Sequence, residues 1–451
     1  MAAIRISELE RSHRVDSDYY RPVYLAYDAR IASLNPKLLS TLAQISDGNH
    51  IAIEDQFTDS GVRYLRGQDL AAFFISDANP VFIPDEVYKS LTRSHMKPGE
   101  VLLSIVGTIG RVALVTNRYQ ALTGSCKIAI IRPHSVNPCF LAIYLSSAPG
   151  QEQIARRVRG AVQQGLILPD LKTVPVPSVD EQLVKKVESL VKRSRQQQER
   201  SESLYAQAQA LLTTELGLDR LDLSEGLYSV RRASEALQAG RIDAEYYKPR
   251  YQRLLEHIQK TGQGIRLGDW VAEPIKRGVQ PEYVGDGNTV VINSQHVGKT
   301  HIVLDGNRFT SREFYQVGTN QRAIVRQYDV LLNSTGYITI GRCQALLDDV
   351  QAVIDGHISI IRPKEGLDPV YLAVYLNALP GQLQTERGWT GSSGQIELRA
   401  EVISDFVIWK APARTQQQIR GLIEQSHQAR CEAKRLLAEA RAEVERMIEA
   451  A

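Results

Sequence analysis

Two long stretches carry a regular pattern of apolar and polar positions. In the first, Leu183, Val187, Leu190, Ser194, Gln197, Ser201, Leu204, Ala208 and Leu211 follow alternating steps of four and three. In the second, Ile419, Ile423, Ser426, Arg430, Ala433, Leu437, Ala440, Val444 and Met447 do the same. This 3.5-residue spacing is the seam of a coiled coil, apolar at its ends and polar in its middle. It predicts helices over Asp180–Leu216 and Ala413–Ala451, neither holding a proline, with Gly217 closing the first. At ~1.5 Å per residue each would be about 55 Å long. Elsewhere the pattern is shorter. Gly99–Ile105 with Arg111–Val115, Lys127–Ile131, Asp329–Asn333 and His357–Ile361 are β-branched runs bounded by turn residues, and read as strands. Phe140–Ser146 and Tyr371–Asn377, after Asn137-Pro138 and Asp368-Pro369, read as helices.

The chain also repeats itself. Val15-Asp-Ser-Asp-Tyr-Tyr-Arg-Pro22 matches Ile242-Asp-Ala-Glu-Tyr-Tyr-Lys-Pro249, a shift of 242 − 15 = 227. Val101-Leu-Leu-Ser and Gly107-Thr-Ile-Gly-Arg111 face Val330-Leu-Leu-Asn and Gly336-Tyr-Ile-Thr-Ile-Gly-Arg342. Ile130-Ile-Arg-Pro133 faces Ile360-Ile-Arg-Pro363. Pro138–Leu145, ending in Pro149-Gly-Gln151, faces Pro369–Leu376, ending in Pro380-Gly-Gln382, now shifted by 369 − 138 = 231. The expected architecture is therefore a tandem duplicate of α/β (α+β) domains, each followed by a long helix. Its segments are residues 1–179, the helix 180–216, a polar connector 217–241, residues 242–412 and the helix 413–451. Matched length and phase favour mutual pairing as an antiparallel coiled coil with pseudo-twofold symmetry.

Composition narrows the class without naming it. Of 451 residues 43% are hydrophobic and 23% charged, which describes folded globular protein. Lys+Arg 54 against Asp+Glu 51 leaves a formal charge of +3, compatible with nucleic acid as partner. No run reaches the ~18 apolar residues of a membrane span, and MAAIRISELERSHR lacks the apolar core of a secretory signal, so a cytoplasmic location is expected. Cys126, Cys139, Cys343 and Cys431 are too scattered for a disulfide frame or a CxxC zinc site.

Enzymatic signatures are missing. There is no GxxxxGK[ST] phosphate loop, no GxGxxG fingerprint and no GxSxG elbow. His296 and His301 have no HExxH context and read as surface histidines, so no metal is expected. Pro169-Asp170-Leu171-Lys172 reads as a turn rather than a nuclease fragment, since its repeat partner lacks these residues. Asp368-Pro369-Val370-Tyr371 is a helix start, not a methyltransferase loop.

The order of motifs resembles the DNA-specificity subunit of type I restriction-modification systems, over essentially the whole chain. The resemblance rests on Arg14-Val-Asp-Ser-Asp-Tyr-Tyr20 and Arg241-Ile-Asp-Ala-Glu-Tyr-Tyr247, and on the glycine segments ending at Arg111 and Arg342. It rests also on Gly160-Ala-Val-Gln-Gln-Gly165, running through Val174-Pro-Val-Pro177 into Asp180-Glu-Gln182. The second copy keeps Gly391-Ser-Ser-Gly-Gln395 but replaces the proline and acidic pattern by Val407-Ile-Trp-Lys-Ala-Pro412 and Gln416-Gln-Gln418. The resemblance implies two target-recognition domains that read a bipartite, asymmetric site on double-stranded DNA and catalyse nothing. It implies docking of two methyltransferase subunits, which would carry S-adenosylmethionine and methylate adenine, with restriction/translocase subunits as further partners in phage defence. A ~55 Å coil would span about 16 base pairs. Arg66-Gly-Gln68-Asp69 against Asn293-Ser-Gln295-His296 points to unlike half-sites. The alternative is a non-catalytic coiled-coil scaffold whose duplicated domains bind protein.

Base edges are read by Arg, Lys, Asn, Gln and hydroxyls, while phosphate contacts set register. On this chemistry the first domain offers Arg66, Gln68, Lys89, Arg93, Thr108 and Arg111, with Arg156, Arg157 and Arg159 as a phosphate patch. The second offers Asn293, Gln295, Arg308, Arg312, Tyr337, Thr339 and Arg342, with Arg387 and Trp389 near a second loop. Gly107, Gly110, Gly336 and Gly341 read as turn-formers.

Overall fold

The computed structural model describes residues 14–70, 73–160, 164–224, 228–304, 308–316, 318–391, 394 and 396–451. Parts of two quoted motifs, Ala161-Val-Gln163 and Ser392, Ser393 and Gln395, lie outside the described residues, as does most of MAAIRISELERSHR. The chain forms two compact units. One comprises residues up to Gln197 together with Glu432–Ala451, and the other Gln198–Cys431. Each long helix thus gives one part to each unit.

In the first unit a four-stranded antiparallel sheet has the order β2 (Ala43–Asp47), β8 (Ile128–Pro133), β5 (Val101–Ser104), β6 (Val112–Leu114). A three-stranded sheet has the order β4 (Val81–Ile83), β3 (Val62–Leu65), β7 (Leu122–Gly124), with β3 and β7 parallel. β1 (Lys37–Leu38) pairs with β9 (Pro175–Val176). Helices α1 (Pro22–Ser33), α2 (Pro138–Ser146) and α3 (Ala148–Arg156) pack against this frame. The Asn137 side chain accepts from the amides of Cys139 and Phe140, so α2 begins at the expected cap, with Pro138 at its first turn.

In the second unit the order is β11 (Lys276–Arg277), β17 (Ile358–Ile361), β14 (Val330–Asn333), β15 (Cys343–Ala345). Beside it stands β13 (Arg308–Thr310), β12 (Thr289–Ile292), β16 (Ala352–Ile354), with β12 and β16 parallel. β10 (Gly264–Arg266) pairs with β18 (Val407–Trp409). Strand for strand, β10–β18 recur in the order of β1–β9. Asp368 caps α6 (Pro369–Asn377) through the amides of Val370 and Tyr371, and α7 (Leu379–Gly388) follows. α5 (Pro249–Lys260) precedes β10. The expected strands and helices stand where the pattern put them, with ends that differ by a few residues: most are shorter, while β8 runs on to Pro133 and α2 and α6 begin two residues early, at Pro138 and Pro369. β3, β4, β7, β12, β13 and β16, three or four residues each, were not legible in that pattern.

The long helices are α4 (Glu181–Leu216) and α8 (Ala413–Glu449). Gly217 adopts φ +68 and closes α4 in the left-handed region. Within the first unit the Ser194 hydroxyl donates to the Ala433 carbonyl at 2.8 Å, and Lys186 pairs with Glu443. Within the second, the Ser201 and Ser426 hydroxyls are 2.9 Å apart, and the Ser426 hydroxyl donates to the Ser201 carbonyl. In each unit the helices run antiparallel. Val187, Leu190, Leu204, Ile419, Ile423 and Val444 are buried as expected, whereas Leu183 and Met447 are only half-buried. Two positions need correction. Leu212 and Leu436 fill the core in place of Leu211 and Leu437, which are half-buried. The reason is a third helix. α2 joins the first unit's core with Val187, Leu190, Val191, Leu436 and Val444, and α6 joins the second's with Tyr205, Leu212, Ile419 and Ile423. A helix packed on two sides buries a broader face than a two-helix seam, so adjacent pairs such as Leu190 and Val191 are both covered.

Candidate nucleic-acid interface

Antiparallel and parallel pairing together place several strand ends at one rim of the first unit. β5 ends at Ser104 opposite Ile128, where β8 starts, and β2 ends at Asp47 opposite Ala129. β3 ends at Leu65 opposite Gly124, and the Ser125 amide donates to the Leu65 carbonyl. The loops 47–50, 66–69, 105–111 and 125–127 therefore share this rim. Val106 bridges to Gly165, which also pairs with Arg159, and brings in a fifth segment.

The β5–β6 loop is a tight turn in which Gly107 and Gly110 take φ of +80 and +92. Its shape is set from behind. The Ser104 hydroxyl donates to the Thr108 carbonyl and accepts from the Arg111 amide. The Gln151 side chain, just past the α2–α3 junction, donates to the carbonyls of Gly110 and Leu145 at 2.9 and 2.6 Å. The second unit repeats the device. Gln382 donates to Gly341 and Leu376 at 2.8 and 2.9 Å, behind a loop whose Gly336 and Gly341 have φ of +88 and +81. Pro-Gly-Gln recurs visibly in the sequence, but nothing in those letters marks the glutamines as struts. Gln382→Leu should leave the buried Gly341 and Leu376 carbonyls without their donor. We expect a cost of about 1–3 kcal/mol, read as a lower unfolding midpoint, with Gln382→Glu intermediate.

The side chains named from the sequence fall into four groups, the last being Lys89 and Arg312, which lie away from the rims. Gln68, Thr108 and Gln295 are exposed and Arg111 is half-exposed on the rims, and Tyr337 is 70% exposed beside Ile338 at 74%. The second group is engaged within the fold. Arg66 donates to Asp69 and to the Asn79 carbonyl, and buried Arg63 and Asp69 anchor that turn from below. Arg93 is exposed but donates to Asp47 at 2.6 Å. Asn293 turns back to accept from the Gln295 amide, and His296 accepts from the Asn293 amide at 3.1 Å, its burial lowering the imidazole pKa. Thr339 donates to the Thr335 carbonyl. Arg308 lies over the Tyr283 ring, Arg387 over that of Tyr246, and the Trp389 carbonyl accepts from Arg241.

The third group corrects the expected phosphate patch. Arg156 is 7% exposed, pairs with Asp28, donates to the Tyr19 carbonyl and stacks 4.0 Å over the Tyr19 ring. Arg157 is 6% exposed and donates to Gln153 and Thr173, with burial lowering its pKa. Arg156 ties the opening Asp-Tyr-Tyr segment to α3, and Arg157 ties α3 to the turn at Thr173; neither is a surface cation. Arg159 is outside but held by both Asp170 oxygens, which gives Asp170 its role in that turn. Arg342 is likewise buried. Lys89 and Arg312 are exposed on short helices away from the rims.

Lys127 was missed. It is exposed, immediately before β8, and its carbonyl accepts from Ile105. His357 stands at the same place before β17, bonded to the Thr335 hydroxyl at 2.6 Å. Next to it burial raises the Asp355 carboxyl, partly offset by the His357 amide. Both flank β-branched runs that were legible, but a lone basic residue at a strand start carries no pattern. Among the described residues no helix is long and apolar enough to cross a membrane.

No family model matches the chain. A stretch of 114 residues is 33% identical to the type I restriction enzyme EcoBI specificity subunit of Escherichia coli, covering 24% of either chain. The match thus spans about a quarter of that relative's length. The S subunit of a type I restriction-modification system from M. genitalium aligns over 92% of this chain and 94% of its own, at 13% identity and TM-score 0.41. The HsdS subunit from Thermoanaerobacter tengcongensis aligns over 92% and 94%, at 18% identity and TM-score 0.29. With that sequence relative beside its repeated motifs, the chain resembles a type I restriction-modification specificity subunit.

Proposed function

We propose that this chain is the non-catalytic DNA-recognition subunit of a type I restriction-modification methyltransferase complex. The observation that carries the reading is the paired rim. Each unit presents a strut-held glycine loop beside the turn that follows a central strand, and the exposed residues differ between the two. We read the recurrence of strand order as a tandem duplication and residues 1–179 and 242–412 as its two target-recognition domains.

Each domain reads one half of a bipartite, asymmetric site on double-stranded DNA. In the first, Gln68, Thr108, Arg111 and Lys127 face base edges or phosphates. In the second, Gln295, Tyr337 and Ile338 do so, with Arg308 and Arg387 beside them. Amide and guanidinium groups suit adenine and guanine edges, and an exposed apolar side chain suits a thymine methyl. The helices α4 and α8 form an antiparallel coiled coil that sets the length of unread DNA and docks two methyltransferase subunits. Those subunits carry S-adenosylmethionine and methylate adenine, restriction/translocase subunits join them in phage defence, and the complex works in the cytoplasm.

The test replaces residues 15–179 by the corresponding domain of another specificity subunit and maps methylated adenines in host DNA by single-molecule sequencing. One half of the methylated motif should change while the other stays. Alteration of both halves, or an unchanged motif, would overturn the reading. Methylation indifferent to the presence of the chain would instead favour a protein-binding scaffold.

A further inference from the structure

His427 and Cys431 are four residues apart on α8, so one turn of helix stacks their side chains on the same face. Asp348, in the loop after β15, reaches the same place. His427 Nε2 lies 3.4 Å from Asp348 Oδ1 and 3.5 Å from Cys431 Sγ. All three donor atoms fall within 4.8 Å of one another. Bonds of ~2.0–2.2 Å to nitrogen and oxygen and ~2.3 Å to sulfur, at tetrahedral angles, set neighbouring donors roughly 3.3–3.6 Å apart. Both measured separations match such tetrahedral edges. They suit hydrogen bonds less well. Nε2 has one proton or one lone pair to share between two partners, and its distance to oxygen exceeds the usual ~2.9 Å.

We propose that Asp348, His427 and Cys431 form a zinc site that clips the loop after β15 to the long helix within the second unit. Nitrogen, thiolate and carboxylate donors in a tetrahedral arrangement select Zn²⁺ over the oxygen-seeking Mg²⁺ and Ca²⁺. A cavity of about 20 Å³ beside them is lined by Thr300, His301, Asp348, His427 and Arg430. That is room for one water-sized guest, so a water completes the shell or His301 turns in to do so. Thiolate and carboxylate offset the ion's two charges, and the neighbouring Arg430 guanidinium interacts with both. The site is invisible to a search for paired cysteines, because one ligand is remote in sequence and the others follow helical spacing. It stands independently of the DNA-reading proposal.

The test uses the full chain, stripped with a chelator and then offered zinc or cobalt salts. About one zinc per chain should be retained after gel filtration, measured by elemental mass spectrometry. The cobalt form should show tetrahedral d–d bands and a thiolate-to-cobalt charge-transfer band. Cys431→Ser should abolish that band while Cys139→Ser keeps it, and His427→Gln should weaken zinc binding at least tenfold. Zinc should raise the thermal midpoint of the wild type but not of Cys431→Ser, since a ligand bound only by the folded state stabilises it. Absence of retained zinc, equal retention by Cys431→Ser, or a cobalt spectrum without sulfur character would overturn the proposal.

Discussion

Gly150→Ala is expected to destabilise the first unit by about 3 kcal/mol or more, and Gly381→Ala to do the same in the second. A β-carbon on Gly150 would stand 1.9 Å from the Tyr144 carbonyl oxygen, and one on Gly381 2.1 Å from that of Leu376. Both obstacles are backbone, so no rotamer change relieves them. Relief requires α2 to part from α3, or α6 from α7, and Leu141–Leu145 and Leu372–Leu376 are wholly buried in the two cores. For a unit of this size the midpoint should fall by roughly 6–12 °C. Calorimetry of the full chain should resolve the loss, and a midpoint within a degree of wild type would contradict the packing described. Gly421→Ala is the matched control, since nothing stands within 4 Å of its added carbon.

The second large effect concerns the phase of α8. Leu436→Ala should cost about 2–5 kcal/mol, because its side chain is 1% exposed among Val187, Leu190 and α2. Leu437→Ala, one position on, should cost about 1 kcal/mol or less, its side chain being half-buried. Urea unfolding of the two variants separates the alternatives. The reverse order would restore the two-helix seam that the heptad pattern alone suggests.

That pair also shows how far the sequence could be read. The helices, their polar middle and the cap at Gly217 were legible because each follows from local spacing or backbone preference. Which leucine of 436 and 437 turns inward depends on a neighbour hundreds of residues away, and periodicity holds no information about it. The same division runs through the interface. The glycine loops announced themselves by composition and repetition. The fate of the arginines did not, since Arg111 and Arg156 are alike as letters and differ only in whether an aspartate and a tyrosine lie in wait. Arg156 meets Asp28 and Tyr19 and becomes part of the interior; no aspartate or aromatic ring among the described residues is seen to hold Arg111.

The glutamine behind each glycine loop grips only main-chain oxygens. Such a grip is indifferent to which side chains the loop displays. Thr108 and the Tyr337-Ile338 pair can therefore be exchanged in evolution without renegotiating the framework. A protein built this way acquires a new vocabulary by editing a few letters at the tips of its fingers while the hand stays the same.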